Sequence, residues 1–197
     1  MEWGEMEWGE MEWGPSMVEI ELKARVNDPA AVEARLAGFL KFCGKVDKAD
    51  EYWGVPACTE PGAQPGFRFR IRTEGDLVRV TFKEKTLRGS IEVNRETEFD
   101  VVGHDQFRDF VRKTGAKPLY RKHKHGSCWR SGELLAELVE VDGLGIFLEI
   151  ETMREKESAS TLEEARTLLY DALGRCGLDT DSLEPRYYSE LLGVPKN

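Results

Sequence analysis

Val18-Glu-Ile-Glu-Leu-Lys-Ala24 alternates strictly between apolar and charged side chains. A period of two residues is typical of a β-strand that buries one face, because successive side chains point to opposite faces of a sheet. The same period returns in residues 67–72 (FRFRIR), 80–85 (VTFKEK) and partly in 147–151 (FLEIE). Further strands are predicted near residues 93–101, 119–125 and 134–141, for a total of about eight, with turns at Gly75, Gly89 and Gly143.

Between these strands the period changes to that of amphipathic helices. The first helix is predicted to begin at Asp28-Pro29, an N-cap followed by Pro at the first helical position. Its apolar stripe continues through Cys43, and Gly44 is the predicted stop. The second helix covers residues 104–114, and its predicted inward side chains are Phe107, Phe110 and Val111.

A third helix is predicted to begin at Thr161, with Glu164 completing a capping box, and to end at Gly177. A short helix over residues 186–192 follows. Because amphipathic helices need an apolar surface to cover, the sequence predicts a single α+β domain over residues 17–197. In this domain the helices pack on the apolar face of a mostly antiparallel sheet.

The charged face of the predicted strands groups its charges by sign. Six glutamates and eight basic residues occupy it: Glu19, Glu21, Glu96, Glu98, Glu149 and Glu151, and Lys23, Arg68, Arg70, Arg72, Lys83, Lys85, Lys122 and Lys124. An ordinary solvated face would explain any single pair. Like charges side by side destabilise a sheet, however, so the whole set favours a charged face that lines a concave lumen or tunnel. The apolar face would then point outward to the helices.

This predicted lumen has the chemistry of a polyphosphate site. Carboxylates suit hard divalent cations, and Mg²⁺ usually takes one or two of them together with substrate phosphates. Arginine and lysine suit phosphoryl oxygens, with arginine giving bidentate contacts. The charge pattern therefore predicts a small phosphate-rich ligand bound together with a metal.

The overall composition gives a different first impression. The 197 residues carry a net charge of −9, which argues against a general nucleic-acid binder. Residues 1–16 (MEWGEMEWGEMEWGPS) repeat a five-residue unit, and we expect an added expression tag rather than a natural extension. Without its five glutamates the net charge is −4. No apolar stretch is long enough to span a bilayer and no signal peptide is evident, so a cytoplasmic protein without a membrane partner is expected.

Cysteine, histidine and aromatic residues add smaller expectations. The cysteines Cys43, Cys58, Cys128 and Cys176 lack CxxC spacing and are expected to be reduced thiols, with Cys43 and Cys176 buried at helix ends. His104 is expected to start a helix, and His123 and His125 to lie on the outward strand face. Trp53 is a core residue or, as the alternative, a nucleobase stacking residue, and Tyr52 could contact a phosphate.

The motifs occur in an order that resembles the CYTH superfamily, the triphosphate tunnel metalloenzymes. Residues 19–23 (EIELK) are similar to its ExExK signature, and residues 50–53 (DEYW) to its DxYF segment. The RxRxR, KxK and ExE motifs follow at the arginines, lysines and glutamates of the next three strands.

The end of the chain extends this resemblance. Residues 143–151 (GLGIFLEIE) are similar to the family's GLGxFxEIE ending. Residues 187–192 (YYSELL) resemble the SYxxLL of class IV adenylate cyclase-like members. The resemblance thus covers the chain from residue 17 to about residue 192.

The resemblance implies an eight-stranded antiparallel β-barrel, or tunnel, with a charged lumen and helices packed on the outside. Mg²⁺ or Mn²⁺ would be held by Glu19, Glu21, Glu149 and Glu151, with Glu96 and Glu98 as ligands of a second site. The basic residues of the lumen would hold the triphosphate, and Lys23, Arg72 and Lys85 are the candidate catalytic residues. A homodimer is a further expectation left open.

Two positions depart from the family pattern. Lys122-His-Lys124 stands where the family has KxR, so a bidentate fork becomes a point charge. Val139 stands where cyclase-like members have an aspartate, which removes one lumen carboxylate. Glu137, two residues earlier on the same face, could compensate.

Three functions remain open at this level. The first is an adenylate cyclase, in which the ribose 3′-hydroxyl attacks the α-phosphorus and pyrophosphate leaves. The second is a triphosphatase that hydrolyses tripolyphosphate or an organic triphosphate such as thiamine triphosphate. The third is a binding module that sequesters a triphosphate without turnover.

Overall fold

The computed structural model describes residues 17–56 and 66–195. The expected tag of residues 1–16 and Cys58 lie outside them. The described strands are β1 (Val18–Arg25), β2 (Lys41–Val55), β3 (Phe67–Glu74), β4 (Leu77–Arg88), β5 (Ile91–Asp100), β6 (Lys117–Ser131), β7 (Leu134–Val141) and β8 (Gly145–Arg154). The described helices are α1 (Pro29–Leu36), α2 (His104–Lys113), α3 (Ala159–Arg175) and α4 (Tyr188–Leu191).

The eight strands form a closed antiparallel barrel in the order β1-β5-β4-β3-β2-β6-β7-β8. Closure removes the exposed sheet edges that otherwise invite aggregation. β1 completes the ring, because it pairs with β5 on one side and with β8 on the other. The predicted tunnel architecture is confirmed, and the predicted turns at Gly75, Gly89 and Gly143 are present with positive φ angles.

The apolar faces of the strands point outward, as predicted. Ile20 and Leu22 of β1 are buried in a large cluster with Leu36 of α1 and with Leu169 and Leu173 of α3. A second cluster forms beneath α2, where Val111 packs with buried residues of β2, β3 and β4. The helices therefore cover the outside of the barrel, and most of the charged side chains of the strands point inside.

The first helix is shorter than predicted. α1 ends at Leu36, and the next four residues form a turn that leads into β2. Phe39 and Leu40 still pack on the core from this turn, which explains why the apolar stripe continued beyond the helix. The prediction for Cys43 was wrong, since this residue is exposed on β2 at an irregularity of the β2–β6 register. Cys176 is buried at the end of α3, as predicted.

Two details of the other helices also differ from the predictions. Phe110 of α2 does not point inward and is 61% exposed. α3 begins at Ala159, because Ser158 caps it rather than Thr161. The side chain of Ser158 accepts a hydrogen bond from the Thr161 N–H, and Thr161 Oγ1 accepts one from the Ser158 N–H. Thr161 thus takes the reciprocal role that the sequence assigned to Glu164.

A close contact between two strands requires glycine at position 126. A Cβ atom on Gly126 would lie 2.0 Å from the backbone oxygen of Leu138 in β7. This distance is far below van der Waals contact, so any side chain would push β6 and β7 apart. The wall that carries Lys124 and Glu137 depends on this approach.

Candidate functional site: the charged lumen

The barrel encloses a cavity of about 410 Å³ that is lined by side chains from all eight strands and from α4. Thirteen of the fourteen charged residues predicted for the lumen line this cavity: Glu19, Glu21, Glu96, Glu98, Glu149, Glu151, Arg68, Arg70, Arg72, Lys83, Lys85, Lys122 and Lys124. The structure thus brings together residues that are up to 132 positions apart in the sequence. Lys23 is the exception and is described below.

Three glutamates converge at the junction of β1 and β8. Each of Glu19, Glu21 and Glu151 offers an oxygen, and these oxygens all lie within 4.8 Å of one another. Glu21 and Glu151 are direct partners in the β1–β8 register. Burial, together with the neighbouring carboxylates, raises the pKa of Glu19 to about 7 and that of Glu151 to about 8. Such a set of clustered oxygens fits a hard divalent cation, which would relieve the repulsion between them.

Glu21 behaves differently from its two neighbours. Burial raises its pKa, but the ammonium groups of Lys83 and Lys85 outweigh this effect and lower the pKa to about 2. One member of the cluster is therefore ionised at any physiological pH. This ionised carboxylate gives the cluster a permanent attraction for a cation.

The other three predicted metal ligands are paired with neighbouring polar groups. Glu149 accepts hydrogen bonds from Lys124 at 2.5 Å and from the Tyr188 hydroxyl at 2.6 Å. Glu96 forms an ion pair with Lys83 at 2.5 Å. Oε1 of Glu98 accepts a hydrogen bond of 2.7 Å from the Thr81 hydroxyl and lies 3.4 Å from Nη2 of Arg70.

The two lysines of β4 are paired with carboxylates of the lumen wall. Lys83 donates to Glu19 at 2.7 Å while also contacting Glu96, and Lys85 donates to Glu92 at 2.9 Å. These contacts raise the pKa of both lysines despite their burial, so both carry a positive charge. Point charges of this kind can hold phosphoryl oxygens without a fixed approach direction.

Arg72 is held by a buried carboxylate behind it. Asp50 of β2 is 1% exposed and accepts two hydrogen bonds from the Arg72 guanidinium, at 2.7 and 2.9 Å. Lys122 lies 3.2 Å from the same carboxylate. These two cations hold the pKa of Asp50 far below its usual range in spite of burial. Asp50, which was predicted only as part of a motif, therefore orients two residues that were predicted to bind phosphate.

Lys23 lies behind the C-terminal segment rather than on the cavity surface. Its ammonium donates a hydrogen bond of 2.6 Å to the backbone oxygen of Arg186 and lies 4.2 Å from the centre of the Tyr188 ring. Burial lowers the pKa of Lys23, and Glu92 and Glu149 oppose this effect. Its position supports a role in holding the segment that carries Tyr188.

The C-terminal segment of residues 184–191 completes the lumen wall. Glu184 pairs with Arg25 at 2.8 Å, which attaches the segment to β1, and with Arg186 of the segment itself at 2.7 Å. Tyr188 then reaches Glu149, and its ring also lies 4.6 Å from the Lys122 ammonium. The YYSELL motif thus contributes a side chain directly to the site.

Several lumen residues were missed by sequence reasoning. Glu92 and Asn94 of β5 are buried, and Asn94 donates a hydrogen bond of 2.9 Å to Glu19. The alternation in residues 91–94 (IEVN) was the signal that would have extended the ExE motif toward the N-terminus. Lys48 of β2 was missed because the strand was not predicted; it pairs with Glu137.

Val139 belongs to an apolar cluster inside one end of the barrel. It packs with Val46, Val141 and Phe147, and Tyr188 and Leu191 cover this cluster from α4. Glu137, the residue expected to compensate, does line the cavity, but its carboxylate pairs with Lys48 and Lys124. The lumen therefore has an apolar end beside Glu149 and a charged middle.

The aromatic residues near the lumen have separate roles. Trp53 is 2% exposed and lies in the outer core, so it does not stack on a ligand. Tyr52 lines the cavity and stacks on Tyr120 with ring centres 4.2 Å apart and planes at 8°. This pair gives the wall a flat apolar surface among its charges.

The histidines lie outside the lumen, as predicted. His104 begins α2, and His123 and His125 point outward from β6, where they contact acidic residues. In the described part of the chain no helix has the length and apolar character needed to cross a membrane.

Comparison with known proteins identifies the family. A model of the CYTH domain matches residues 17–188. This chain belongs to the CYTH family. A protein of Methanocaldococcus jannaschii named "Putative adenylate cyclase MJ0240" is 27% identical over 187 residues, which are 90% of this chain and 100% of that protein. CYTH proteins bind triphosphate substrates and depend on metals, in agreement with the charged lumen.

Solved structures of other proteins share this fold. The PH1012 protein of Pyrococcus horikoshii is 26% identical, with a TM-score of 0.71 over 88% of this chain and 98% of that chain. HpAC1 of Hippeastrum, described as a "putative adenylyl cyclase" with a dominant triphosphatase activity, has a TM-score of 0.57 at 17% identity. That alignment covers 90% of this chain and 97% of HpAC1, and it supports the fold alone.

Proposed function

We propose that this chain is a metal-dependent enzyme that acts on a nucleoside or organic triphosphate held in the lumen. The observation that carries this proposal is the convergence of Glu19, Glu21 and Glu151 beside Lys83, inside a barrel whose other walls present arginines and lysines. Carboxylates grouped on one wall and cations on the others match a polyphosphate with its metal.

In this proposal the residues of the lumen have two roles, metal binding and phosphate binding. Glu19, Glu21 and Glu151 hold Mg²⁺ or Mn²⁺, which when bound lowers the pKa of an attacking hydroxyl or water and neutralises phosphate charge. Arg70, Arg72, Lys83 and Lys85 hold phosphoryl oxygens and stabilise the charge that develops on the leaving group.

The position of Arg72 also fits this assignment. Asp50 engages two of its N–H groups from behind, so the guanidinium is held in place before a ligand arrives. Preorganised donors stabilise a transition state without the cost of rearranging at the moment of reaction. Arg72 is accordingly the strongest candidate for a catalytic cation.

Cyclisation of ATP is the first candidate reaction. The ribose 3′-oxygen would bond to the α-phosphorus, the bond from that phosphorus to the bridging oxygen would break, and pyrophosphate would leave. The stacked pair of Tyr52 and Tyr120 supports this candidate, because it offers a nucleobase a flat surface in the lumen wall. The name of the M. jannaschii relative points the same way.

Hydrolysis of a triphosphate is the second candidate. Water would bond to the terminal phosphorus, the bond from that phosphorus to the bridging oxygen would break, and orthophosphate and the remaining diphosphate would be released. Val139 weighs against cyclisation, since it belongs to an apolar cluster and stands where the resemblance places an aspartate in cyclase-like members. The triphosphatase activity named for HpAC1 is a precedent within the same fold.

Product analysis distinguishes these reactions. The purified protein is incubated with ATP, tripolyphosphate or thiamine triphosphate, each with Mg²⁺ or Mn²⁺, and the products are separated by ion-exchange chromatography. Cyclic AMP and pyrophosphate would establish the cyclase, and orthophosphate the triphosphatase. Metal-dependent binding without turnover would contradict both and leave a binding module.

A further inference from the structure

The outer surface of the barrel carries a second group of metal-ligating side chains, remote from the lumen face of the same strand. His123 and His125 project outward from β6, two residues apart, with ring centres 5.6 Å apart. Nitrogen atoms of both rings and a carboxylate oxygen of Asp142 lie within 4.8 Å of one another. These residues are absent from the lining of the charged cavity.

The strand register explains why these side chains meet. In the β2–β6 pair, Asp47 lies opposite His125, and in the β6–β7 pair Glu140 lies opposite His125 from the other side. Asp142 follows β7 directly, and its backbone N–H donates a hydrogen bond of 3.1 Å to the His123 carbonyl. The site is therefore built on the wall of the barrel and the first residue of a tight turn, which are rigid supports.

The two imidazoles are in contact with more carboxylate groups than there are imidazoles. His123 has Asp47 at 2.8 Å from Nε2 and Asp142 at 3.2 Å from Nδ1. His125 has Glu140 at 3.7 Å. Three carboxylates thus surround two imidazoles, and even two protonated imidazoles would leave negative charge, which a bound dication would offset.

We propose that His123, His125 and Asp142, with Asp47 as a neighbouring carboxylate, form a surface site for a transition-metal dication of the zinc class. A donor set of imidazole nitrogens and carboxylate oxygens binds Zn²⁺, Co²⁺ and Ni²⁺ in preference to Mg²⁺. The lumen cluster is made of carboxylates alone and favours hard cations. The two sites thus differ in the kind of metal that each selects.

The side chains must rearrange only locally to bind the ion. The ligand atoms lie within 4.8 Å of one another. Zinc–ligand bonds of about 2.0–2.2 Å require these atoms to move closer together, which rotation of the exposed side chains allows. His123, His125 and Asp142 are each 39% or more exposed in their side chains, so this rotation meets no core packing. Bound metal would join β6 to the β7–β8 turn.

Cobalt provides a direct test, because its visible absorption reports tetrahedral coordination by nitrogen and oxygen. Co²⁺ is titrated into the full chain at pH 7.5 in the presence of millimolar Mg²⁺, which competes for the carboxylates of the lumen, and Zn²⁺ binding is measured in parallel by calorimetry. We expect one saturable equivalent of each metal, with competition between the two.

Variants separate this site from the lumen. H125A and D142N should each weaken Zn²⁺ binding at least tenfold, whereas H104A, which removes the exposed histidine of α2, should leave it unchanged. E21Q, which alters the lumen cluster, should also leave it unchanged. Circular dichroism and thermal melting confirm that each variant is folded.

Two results would overturn the proposal. One is the absence of a saturable Zn²⁺ or Co²⁺ equivalent in the wild type when Mg²⁺ is in excess. The other is a folded H125A variant that binds Zn²⁺ as the wild type does. Because the assay measures binding of metal alone, its outcome is independent of whether the lumen processes a triphosphate.

Discussion

The hydroxyl of Tyr188 in α4 donates a hydrogen bond of 2.6 Å to the carboxylate of Glu149 in β8. This bond joins the C-terminal segment to the middle of the lumen wall. The same tyrosine packs its ring on Phe147 at right angles, with ring centres 5.2 Å apart, and lies against two lysine ammonium groups. Tyr188 therefore combines a polar contact with apolar closure of one end of the barrel.

Y188F should reduce stability without removing the segment. It deletes one hydrogen bond to a charged group and keeps the ring contacts, so we expect a loss of about 1.5 kcal/mol in the free energy of unfolding. Y188A also removes the ring and should lose more. Urea denaturation of both variants measures these differences. An unchanged free energy of unfolding in Y188A would show that the segment is not held through this residue.

E151Q should have opposite effects on stability with and without metal. Burial and the adjacent glutamates raise the pKa of Glu151 from 4.5 to about 8, so ionising this carboxyl in the folded protein is unfavourable. The folded state then loses stability as the pH rises from 4.5 toward 8, and glutamine removes this loss. In EDTA at pH 8 the variant should melt at a higher temperature than the wild type.

With Mn²⁺ present the order should reverse, because the variant lacks a predicted ligand. Activity that depends on the metal should also fall at least a hundredfold. E149Q is the variant to compare with E151Q in the presence of Mn²⁺, since Glu149 contacts Lys124 and Tyr188 and lies outside the three-glutamate cluster. Equal stabilisation of E151Q and wild type by Mn²⁺ would argue against Glu151 as a ligand.

D50N should be strongly destabilising. Asp50 is almost completely buried and serves both Arg72 and Lys122, so the neutral amide leaves two buried cations without their counter-charge. The expected cost is about 3–5 kcal/mol in the free energy of unfolding. D100N is the matched control, because it alters the solvent-exposed pair of Arg79 in β4 and Asp100 in β5 and should cost far less than D50N. Similar costs for the two variants would contradict this account.

G126A tests the close approach of β6 and β7. The added methyl group would collide with the Leu138 carbonyl, and we expect a loss of several kcal/mol, on the order of that found for overpacked cores. G174A is the control, since Gly174 lies on the exposed side of α3 with no atom near its Cβ position. That change should stabilise the protein by about 0.5–1 kcal/mol. Thermal melting of both variants measures these two changes in stability, and equal melting temperatures would contradict the close approach of β6 and β7.

E184Q should change how stability depends on pH. Hydrogen bonds from Arg186 and Arg25 lower the pKa of Glu184 from 4.5 to about 2. A lowered pKa contributes stability above pH 4.5 that is lost as the pH falls toward 2. The variant should therefore lose less stability than the wild type between pH 5 and pH 3. Parallel loss in both proteins would show that Glu184 does not anchor the segment.

The sequence predicted the barrel because its strands have one apolar and one charged face. Apolar and charged side chains alternate along each strand that separates the outer core from the lumen, as in β1, β3 and β8. β2 was not predicted, since it follows a helix whose apolar stripe runs on through the turn at Phe39 and Leu40. The register irregularity near Cys43 then interrupts the period at the start of the strand.

The sequence predicted which charged side chains face the lumen far better than it predicted which of them pair. A period of two places Glu19, Glu21, Glu149 and Glu151 on the lumen face, but it cannot tell which of them meet. The register across β1 and β8, together with the tilt of the strands, separates Glu149 from the three-glutamate cluster. The roles of Asp50 and Tyr188 arise from contacts between segments that are distant in the sequence, and a local sequence pattern does not predict such contacts.

The position of Lys83 between Glu19 and Glu96 links the two ligands of the proposed site thermodynamically. A cation that takes up the Glu19 carboxylate releases the Lys83 ammonium from that partner, and the ammonium is then available to a phosphate. The metal should accordingly tighten the binding of the triphosphate, and by reciprocity the triphosphate should tighten the binding of the metal by the same factor. In the absence of both, the acidic and basic side chains of the lumen act as counter-ions for one another.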